Sequence, residues 1–234
     1  MPSELILLTG ATGHIGFCTL VYALNAGYRV RAAVRNQDKA DTIQAAPSIQ
    51  AIKPDDRLSF VFVPDILAPG AFDDAVRDVD YIIHVASPLS RGTDPARYED
   101  LIQPAVKGTL GILSAAAKHG GNHVKRVVIT SPMAALFPLG DHSSDTVFNE
   151  TSRVSPDPGG PYSTAMEAYA ASKIIALNAT ERFVQEHQPA FDIVNIHPSF
   201  VIGKNELVTD KKDISRARMC GLSPRFWARR SLRR

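Results

Sequence analysis

The feature that most constrains the fold of this chain is a short apolar run closed by regularly spaced glycines. Residues 5–8 read Leu-Ile-Leu-Leu, and Gly10, Gly13 and Gly16 follow at intervals of three. A short apolar run closed by glycine is typical of a buried parallel strand that enters a tight turn. Residues 15–26 carry apolar side chains at helical spacing, so the glycines are predicted to lie between a strand and a helix.

A glycine turn at the start of a helix is suited to binding a phosphate group. Glycine allows the backbone to approach an anion, and the N–H groups and dipole of a helix N-terminus favour negative charge. The pattern indicates a nucleotide site because it has the required strand before it and the required helix after it. The alternative is an ordinary turn between a strand and a helix that happens to contain three glycines.

Strand and helix patterns alternate along the rest of the chain. Further strands are expected at residues 28–34, 58–63, 79–85, 124–130 and 191–197, and helices at residues 36–49, 69–76, 98–118 and 164–186. Strands that alternate with helices form a parallel sheet covered on both faces. The sequence therefore predicts a Rossmann-type doubly wound α/β domain with three layers, α/β/α, over residues 1–208.

The residue that ends the second predicted strand bears on the choice of cofactor. In sheets of this type an acid at that position binds the ribose 2′-hydroxyl of NAD, whereas an arginine accommodates the 2′-phosphate of NADP. Arg35 occupies the position and Lys39 lies one helical turn further on, so NADP is predicted. Two alternatives remain: a solvated Arg35 on the surface, and Asp38 as an NAD-type acid inside the predicted helix.

The third and fourth predicted strands also end in residues that suit a nucleotide. Asp65 and Ile66 follow the third strand, where a carboxylate and an apolar side chain could hold an adenine. The alternative is that Asp65 caps the following helix. Residues 84–88, His-Val-Ala-Ser-Pro, end the fourth strand, and their small side chains leave room for a dinucleotide. A simple loop would have the same composition.

Tyr169 and Lys173 lie four residues apart in a predicted helix, and side chains at that spacing share one face. An ammonium group beside a phenol stabilises the phenolate and lowers the pKa of the phenol. A tyrosine tuned in this way is a usable proton donor or acceptor near neutral pH. The pair alone is common on solvated helix faces, and it becomes informative because it follows the fifth strand of a nucleotide-binding sheet.

These segments together resemble the extended short-chain dehydrogenases/reductases. The resemblance is greatest to the dihydroflavonol-reductase-like NADPH-dependent aldehyde and ketone reductases, including the fungal methylglyoxal-reductase type. It covers roughly residues 4–208 and rests on residues 9–16, 35, 65–66, 84–88, 130–131 and 169–173. By this resemblance the chain is an NADPH-dependent oxidoreductase that reduces an aldehyde or ketone to an alcohol.

The resemblance also implies roles for individual residues. Tyr169 donates a proton to the substrate carbonyl while NADPH delivers the hydride, and Lys173 holds the nicotinamide ribose. Ser131, after the fifth strand, is the third catalytic candidate. The implied cofactor-binding residues are Thr9, Gly10, Gly13, His14, Ile15, Gly16, Arg35, Lys39, Asp65, Ile66, Val85, Ala86, Ser87, Tyr169, Lys173 and Pro198. No metal is expected.

One departure from the family pattern lies directly after the fifth strand. The family reads Thr-Ser-Ser there, and the second serine bonds the substrate carbonyl, whereas this chain reads Thr130-Ser131-Pro132. Loss of one such donor typically costs about 10²–10³ in rate. Side chains alternate along a strand, so Ser131 is expected to point away from the substrate unless the proline shifts the loop. Residues 133–136 are then expected to line an apolar pocket.

A second departure lies at the C-terminal end. Members of the family continue with a last strand and a small substrate-binding lobe, and by this resemblance most of that lobe is expected to be missing from the sequence. Residues 209–234 are expected to form a basic irregular tail, disordered or non-native, and our hypothesis is that it is an out-of-frame or mis-spliced end of a longer reductase. Residues 216–234 hold seven arginines and no acid or lysine. The alternative is therefore a basic anchor for a membrane or a nucleic acid.

Charge and cysteine content bound the partners and the compartment. The net charge is +2, and taking away the seven arginines of the tail leaves −5 for residues 1–215, so neither a nucleic acid nor a membrane is expected as a partner of the domain. Cys18 and Cys220 lie in different contexts, which argues against a disulfide framework. The cytoplasm is therefore the expected location.

The same resemblance bears on the partners of the chain and on its alternative functions. The expected partner is a small carbonyl substrate, and a homodimer is expected because the helices at residues 98–118 and 164–186 pair into a four-helix interface in many relatives. Two other functions remain open. One is an NADP-binding protein without turnover or an inactive reductase, which Pro132 favours; the other is an epimerase or dehydratase of the same superfamily.

Overall fold

A parallel sheet of six strands forms the centre of the molecule. The structure, a computed structural model, describes residues 3–87, 100–140 and 147–208. The strands are β1 (Leu5–Thr9), β2 (Arg29–Val34), β3 (Leu58–Phe62), β4 (Tyr81–His84), β5 (Arg126–Thr130) and β6 (Asp192–Ile196). Their order across the sheet is β3-β2-β1-β4-β5-β6, and every neighbouring pair is parallel. This order confirms the predicted Rossmann-type doubly wound fold.

Helices cover the two faces of the sheet. They are α1 (His14–Asn25), α2 (Gln37–Gln44), α3 (Pro47–Ile52), α4 (Ile102–His119) and α5 (Ala165–His187). Successive side chains of a strand point to opposite faces, so Leu7 belongs to one buried cluster, with Ile112 and Phe183, while Leu8 belongs to the other, with Leu20. All five residues of β1 are buried, as expected for a central strand.

Two predicted helices differ from the structure. The helix expected at residues 36–49 is two helices, because Pro47 lacks an N–H and its ring does not fit inside a helix; Pro47 begins α3 instead. The helix expected at residues 69–76 is a series of turns. Gly70 has a φ of +70°, which lies outside the right-handed helical region. That prediction was wrong, although Phe72 and Val76 within it are buried.

The remaining predicted elements lie within a few residues of the observed ones. The helix expected from residue 98 is described from Ile102, and its first predicted residues lie outside the described ranges. The predicted tail at residues 209–234, with Cys220, also lies outside them. Among the described helices, none combines the length and the hydropathy that spanning a bilayer requires.

Candidate functional site

The glycine turn between β1 and α1 is tightly packed at two of its three glycines. Gly10 has a φ of +76°, and a Cβ on it would lie 2.8 Å from the backbone nitrogen of Ala86. A Cβ on Gly16 would overlap the carbonyl oxygen of Gly10. These two positions therefore need glycine for the turn itself and for the close approach of α1 to β1.

Gly13 differs, because a Cβ there would meet a milder contact than at Gly10 or Gly16. A Cβ there would meet only the Gly10 carbonyl oxygen, at 3.3 Å, and Gly13 is exposed. Gly13 is also the N-cap of α1, and no described side chain caps the first N–H groups of that helix. The N–H groups at the start of α1 thus lack a side-chain cap at an exposed turn, an arrangement that fits the pyrophosphate of a dinucleotide.

The end of β4 is held against this turn by one hydroxyl group. The Oγ1 atom of Thr9 accepts hydrogen bonds from the backbone N–H groups of Val85, at 3.2 Å, and Ala86, at 3.1 Å. The same Oγ1 lies 2.9 Å from Nδ1 of His84. Both lone pairs of the hydroxyl are in use, so its single proton is donated to Nδ1, and the imidazole of His84 is neutral with its proton on Nε2.

Lys173 reaches the same strand end from α5. Its Nζ atom donates a hydrogen bond of 2.6 Å to the Oγ atom of Ser87 and lies 5.5 Å from the centre of the Tyr169 ring. Burial lowers the pKa of Lys173 to about 8. Burial, with the nearby charge of Lys173, also lowers the pKa of His84 to about 4. The structure therefore brings Tyr169 and Lys173 together beside the end of β4.

Capping hydrogen bonds fix the start of α5, the helix that carries Tyr169 and Lys173. The hydroxyl of Thr164 accepts the backbone N–H of Glu167 at 3.1 Å, and the carboxylate of Glu167 accepts the N–H of Ser163 at 2.7 Å. These bonds satisfy donors at the helix N-terminus. Tyr169 and Lys173 then follow in the first turns of a helix of 23 residues.

A small polar cavity of about 20 Å³ lies behind Lys173, which is room for about one water molecule. Ser131 is buried and borders this cavity, and the direction of its side chain toward or away from a substrate stays a prediction. The lining residues are His84, Ala86, Ser87, Thr109, Ile129, Thr130, Ser131, Lys173, Ala176, Leu177, Thr180 and Asn195.

Pro132 occupies the position after Ser131 with an extended backbone, at a φ of −71° and a ψ of 157°. Residues 133–136 follow as a short 3₁₀ helix. Ala135 and Leu136 are buried and pack with Leu177 of α5. These two residues therefore belong to the core, whereas Met133 is exposed, and a pocket lined by the segment stays a prediction.

The residues predicted to hold the outer part of the cofactor lie at the ends of β2 and β3. Arg35 and Lys39 are exposed, one helical turn apart, and neither side chain forms an ion pair with another residue in the described ranges. Asp38 is exposed in the first turn of α2. Asp65 accepts the N–H of Leu67 at 2.9 Å. It therefore caps a turn, and not the helix that was expected at residues 69–76.

The other predicted cofactor residues also lie around the carboxyl edge of the sheet. His14 and Ile15 begin α1, and Ile66 packs partly against the core beside Asp65. The carbonyl oxygen of Pro198, after β6, accepts the N–H of Met133 at 3.1 Å. Since the carboxyl ends of parallel strands share one edge, the predicted residues are grouped there, and their roles stay predictions.

Sequence reasoning missed two parts of this region. It placed His84 at the end of the fourth strand without a role, although a histidine inside an apolar strand is a signal of a buried polar contact. It also missed the contact between Glu206 and Ser48, whose backbone N–H lies 2.6 Å from a carboxylate oxygen of Glu206. These two residues are far apart in sequence, so no local pattern connects them.

Comparison with known proteins gives consistent matches. The model of the NAD dependent epimerase/dehydratase family matches residues 6–222. The chain is 41% identical to ketoreductase CTB6 of Cercospora nicotianae over 220 residues, which are 92% of this chain and 61% of that protein. It is 44% identical to the NAD-dependent epimerase/dehydratase ALT6 of Alternaria alternata over 222 residues, 90% of this chain and 61% of that protein.

Solved structures give the same match. The crystal structure of yeast methylglyoxal/isovaleraldehyde reductase Gre2 complexed with NADPH has a TM-score of 0.74 and 31% sequence identity, and the match covers 86% of this chain and 59% of that chain. The chain therefore spans about 61% of the length of the curated relatives that it matches.

Proposed function

The chain belongs to the NAD-dependent epimerase/dehydratase family, and from that premise we propose that it is an NADPH-dependent reductase of aldehydes or ketones. The observation that carries the proposal is the position of Lys173 and Tyr169. The ammonium of Lys173 is held on Ser87 at the end of β4, next to the glycine turn, and the Tyr169 ring is beside it. A phenol and an ammonium at the carboxyl edge of such a sheet suit proton transfer to a carbonyl.

The choice of NADPH is supported by Arg35 and Lys39 and by one relative. Both cations are exposed at the end of β2 without an ion-pair partner among the described residues, as a site for a 2′-phosphate requires. The structure of Gre2, which matches this chain, is a complex with NADPH. The exposed, uncapped start of α1 fits the pyrophosphate of the same cofactor.

The chain's own residues then account for the proton transfer of the reaction. NADPH, when bound, supplies the hydride. Tyr169 donates a proton to the carbonyl oxygen of the substrate, and the charge of Lys173 favours the phenolate that remains. Ser87 keeps the Lys173 ammonium at the end of β4. With a pKa of about 8, Lys173 is mostly charged at pH 7 and loses that charge above pH 8.

A binding protein without turnover is the second candidate, and Pro132 favours it. The position after Ser131 carries no hydroxyl or N–H donor for a substrate carbonyl. The chain also spans only about 61% of its curated relatives, so activity of this chain is itself part of the proposal. A homodimer through α4 and α5 and a cytoplasmic location stay predictions.

The test is NADPH oxidation by the purified chain against a panel of aldehydes and ketones. We expect turnover that falls about 10²–10⁴-fold in Tyr169→Phe and is unchanged in Tyr22→Phe, which removes a phenol exposed on α1. NADPH binding without turnover on any carbonyl would contradict the reductase proposal and favour the binding protein.

Pro132→Ser separates the effect of the proline from that of the rest of the site. If a carbonyl donor is what the chain lacks, the substitution raises turnover by about 10²–10³-fold, whereas Pro132→Ala, which restores no hydroxyl, leaves it unchanged. Equal rates in the two variants would show that Pro132 does not limit catalysis.

A further inference from the structure

Residues 198–208, called here the crossing segment, begin at the β5–β6 side of the sheet. The N–H of Ser131 donates to the carbonyl oxygen of Ile196 at 3.0 Å, and the N–H of Met133 donates to that of Pro198 at 3.1 Å. The second bond fastens the start of the segment to the loop that follows β5. The segment thus leaves β6, an edge strand, at the carboxyl edge of the sheet.

The middle of the crossing segment passes the glycine turn. A Cβ on Gly203 would lie 3.6 Å from Cε1 of His14, the first residue of α1. Since β4 lies between β5 and β1 in the sheet, the segment crosses the edge where the dinucleotide is expected. Phe200, Val201 and Ile202 are 58%, 42% and 75% exposed, so core packing does not hold this part in place.

The far end of the crossing segment is fastened to α3 on the other side of the turn. One carboxylate oxygen of Glu206 accepts the backbone N–H of Ser48 at 2.6 Å, and the other accepts the Ser48 hydroxyl. The two hydrogen bonds from Ser48 lower the pKa of Glu206. Leu207 packs partly against the core cluster that contains Leu8 and Phe17. The segment is therefore attached at both ends and exposed between them.

We propose that the crossing segment closes over the dinucleotide crevice and that Glu206, bound to Ser48, is the positioning residue that keeps it closed. A dinucleotide lying between the glycine turn and this segment leaves only when the segment lifts. Loss of the bond between Glu206 and Ser48 therefore speeds release of the cofactor. The identity of the cofactor rests on the proposed function, whereas the attachment of the segment does not.

The first experiment needs no cofactor. Amide hydrogen exchange of residues 203–208 is compared in the wild-type chain, Glu206→Gln and Ser48→Ala, with Glu186→Gln as a control that removes an exposed carboxylate of α5. We expect exchange in this segment to be about tenfold faster in both variants, as loss of a charged hydrogen bond implies, and unchanged in the control. Ser48→Thr keeps both the N–H and the hydroxyl donor, so we expect exchange as slow as in the wild-type chain.

The second experiment measures dissociation of NADPH by stopped-flow fluorescence. We expect a rate about tenfold higher in Glu206→Gln and Ser48→Ala than in the wild-type chain and in Glu186→Gln. A role in overall stability alone would lower the thermal midpoint without a selective change in this rate.

The outcomes separate the two proposals. Unchanged exchange in residues 203–208 of both variants overturns the attachment through Glu206. Faster exchange with an unchanged NADPH dissociation rate overturns its role in cofactor release. A wild-type chain that binds no NADPH contradicts the proposed function and that role together, while the exchange result still decides the attachment.

Discussion

At the scale of single residues, His84 is the most informative side chain of the site. It is buried beside Lys173, and Thr9 donates a hydrogen bond to its Nδ1 atom. That bond orients the Thr9 hydroxyl so that its lone pairs face the N–H groups of Val85 and Ala86. A proton on Nδ1 would break this arrangement, because the two lone pairs of the Thr9 hydroxyl would then face three donors.

The stability of the protein should therefore fall in mild acid. The pKa of His84 is about 4 in the folded chain and 6.5 in the unfolded chain, so as the pH falls from 6.5 to 4 the unfolded state takes up a proton that the folded state does not. We expect His84 to account for a loss of roughly 2–3 kcal/mol of the free energy of unfolding across this window. Urea denaturation at pH 7, 6, 5 and 4.5 measures it.

His84→Asn is the matched variant for this prediction. Asparagine presents an acceptor near the position of Nδ1 but does not titrate, so the slope of stability against pH should flatten between pH 6.5 and 4. Burial also lowers the pKa of His197, so His197→Asn serves as the comparison for a second, less buried histidine. The same slope in His84→Asn and in the wild-type chain would contradict the assignment.

At the scale of elements, the packing of α1 against β1 depends on Gly16 more than on Gly13. A Cβ on Gly16 would overlap the Gly10 carbonyl oxygen, so Gly16→Ala forces α1 away from β1. We expect it to lower the free energy of unfolding by about 1–3 kcal/mol. Gly13→Ala brings its methyl group only to 3.3 Å from the same oxygen and should therefore destabilise the protein less than Gly16→Ala does.

Gly13→Ala should instead weaken NADPH binding, by about tenfold or more, because its methyl group occupies the space beside the uncapped N–H groups of α1. Thermal unfolding of Gly16→Ala and Gly13→Ala measures the effect on stability, and NADPH titration of the same two variants measures the effect on binding. If Gly13→Ala binds NADPH as tightly as the wild-type chain, the pyrophosphate does not lie at this turn.

The elements that the sequence predicts well are those whose signals are local. The strand before the glycines and the spacing of Tyr169 and Lys173 depend on neighbours within one strand or one helix. Pro47 marks the break between α2 and α3 in the sequence, but the prediction continued one helix across it. The turns around Gly70 depend on a positive φ, which composition does not reveal. The contact of Thr9 with His84 depends on the register between β1 and β4, which no local pattern shows.

At the scale of the whole molecule, the topology assembles the site. Strand order places the ends of β1, β2, β4 and β5 along one edge, and α5 brings Lys173 to the same edge. Alternation of strands and helices was sufficient to predict this grouping. The path of residues 198–208 could not be predicted, because it depends on a bond between residues 158 positions apart in the chain.

The most direct test of the account is titration of the chain with NADPH and with NADH, in the wild-type protein, in Arg35→Ala and in Arg29→Ala. Arg29 is an exposed arginine at the opposite end of β2 and serves as the control. We expect the wild-type chain to prefer NADPH, and Arg35→Ala alone to lose about 10- to 100-fold of its NADPH affinity with little change in its NADH affinity. A preference for NADH, or equal affinities for NADPH in the two variants, would contradict it.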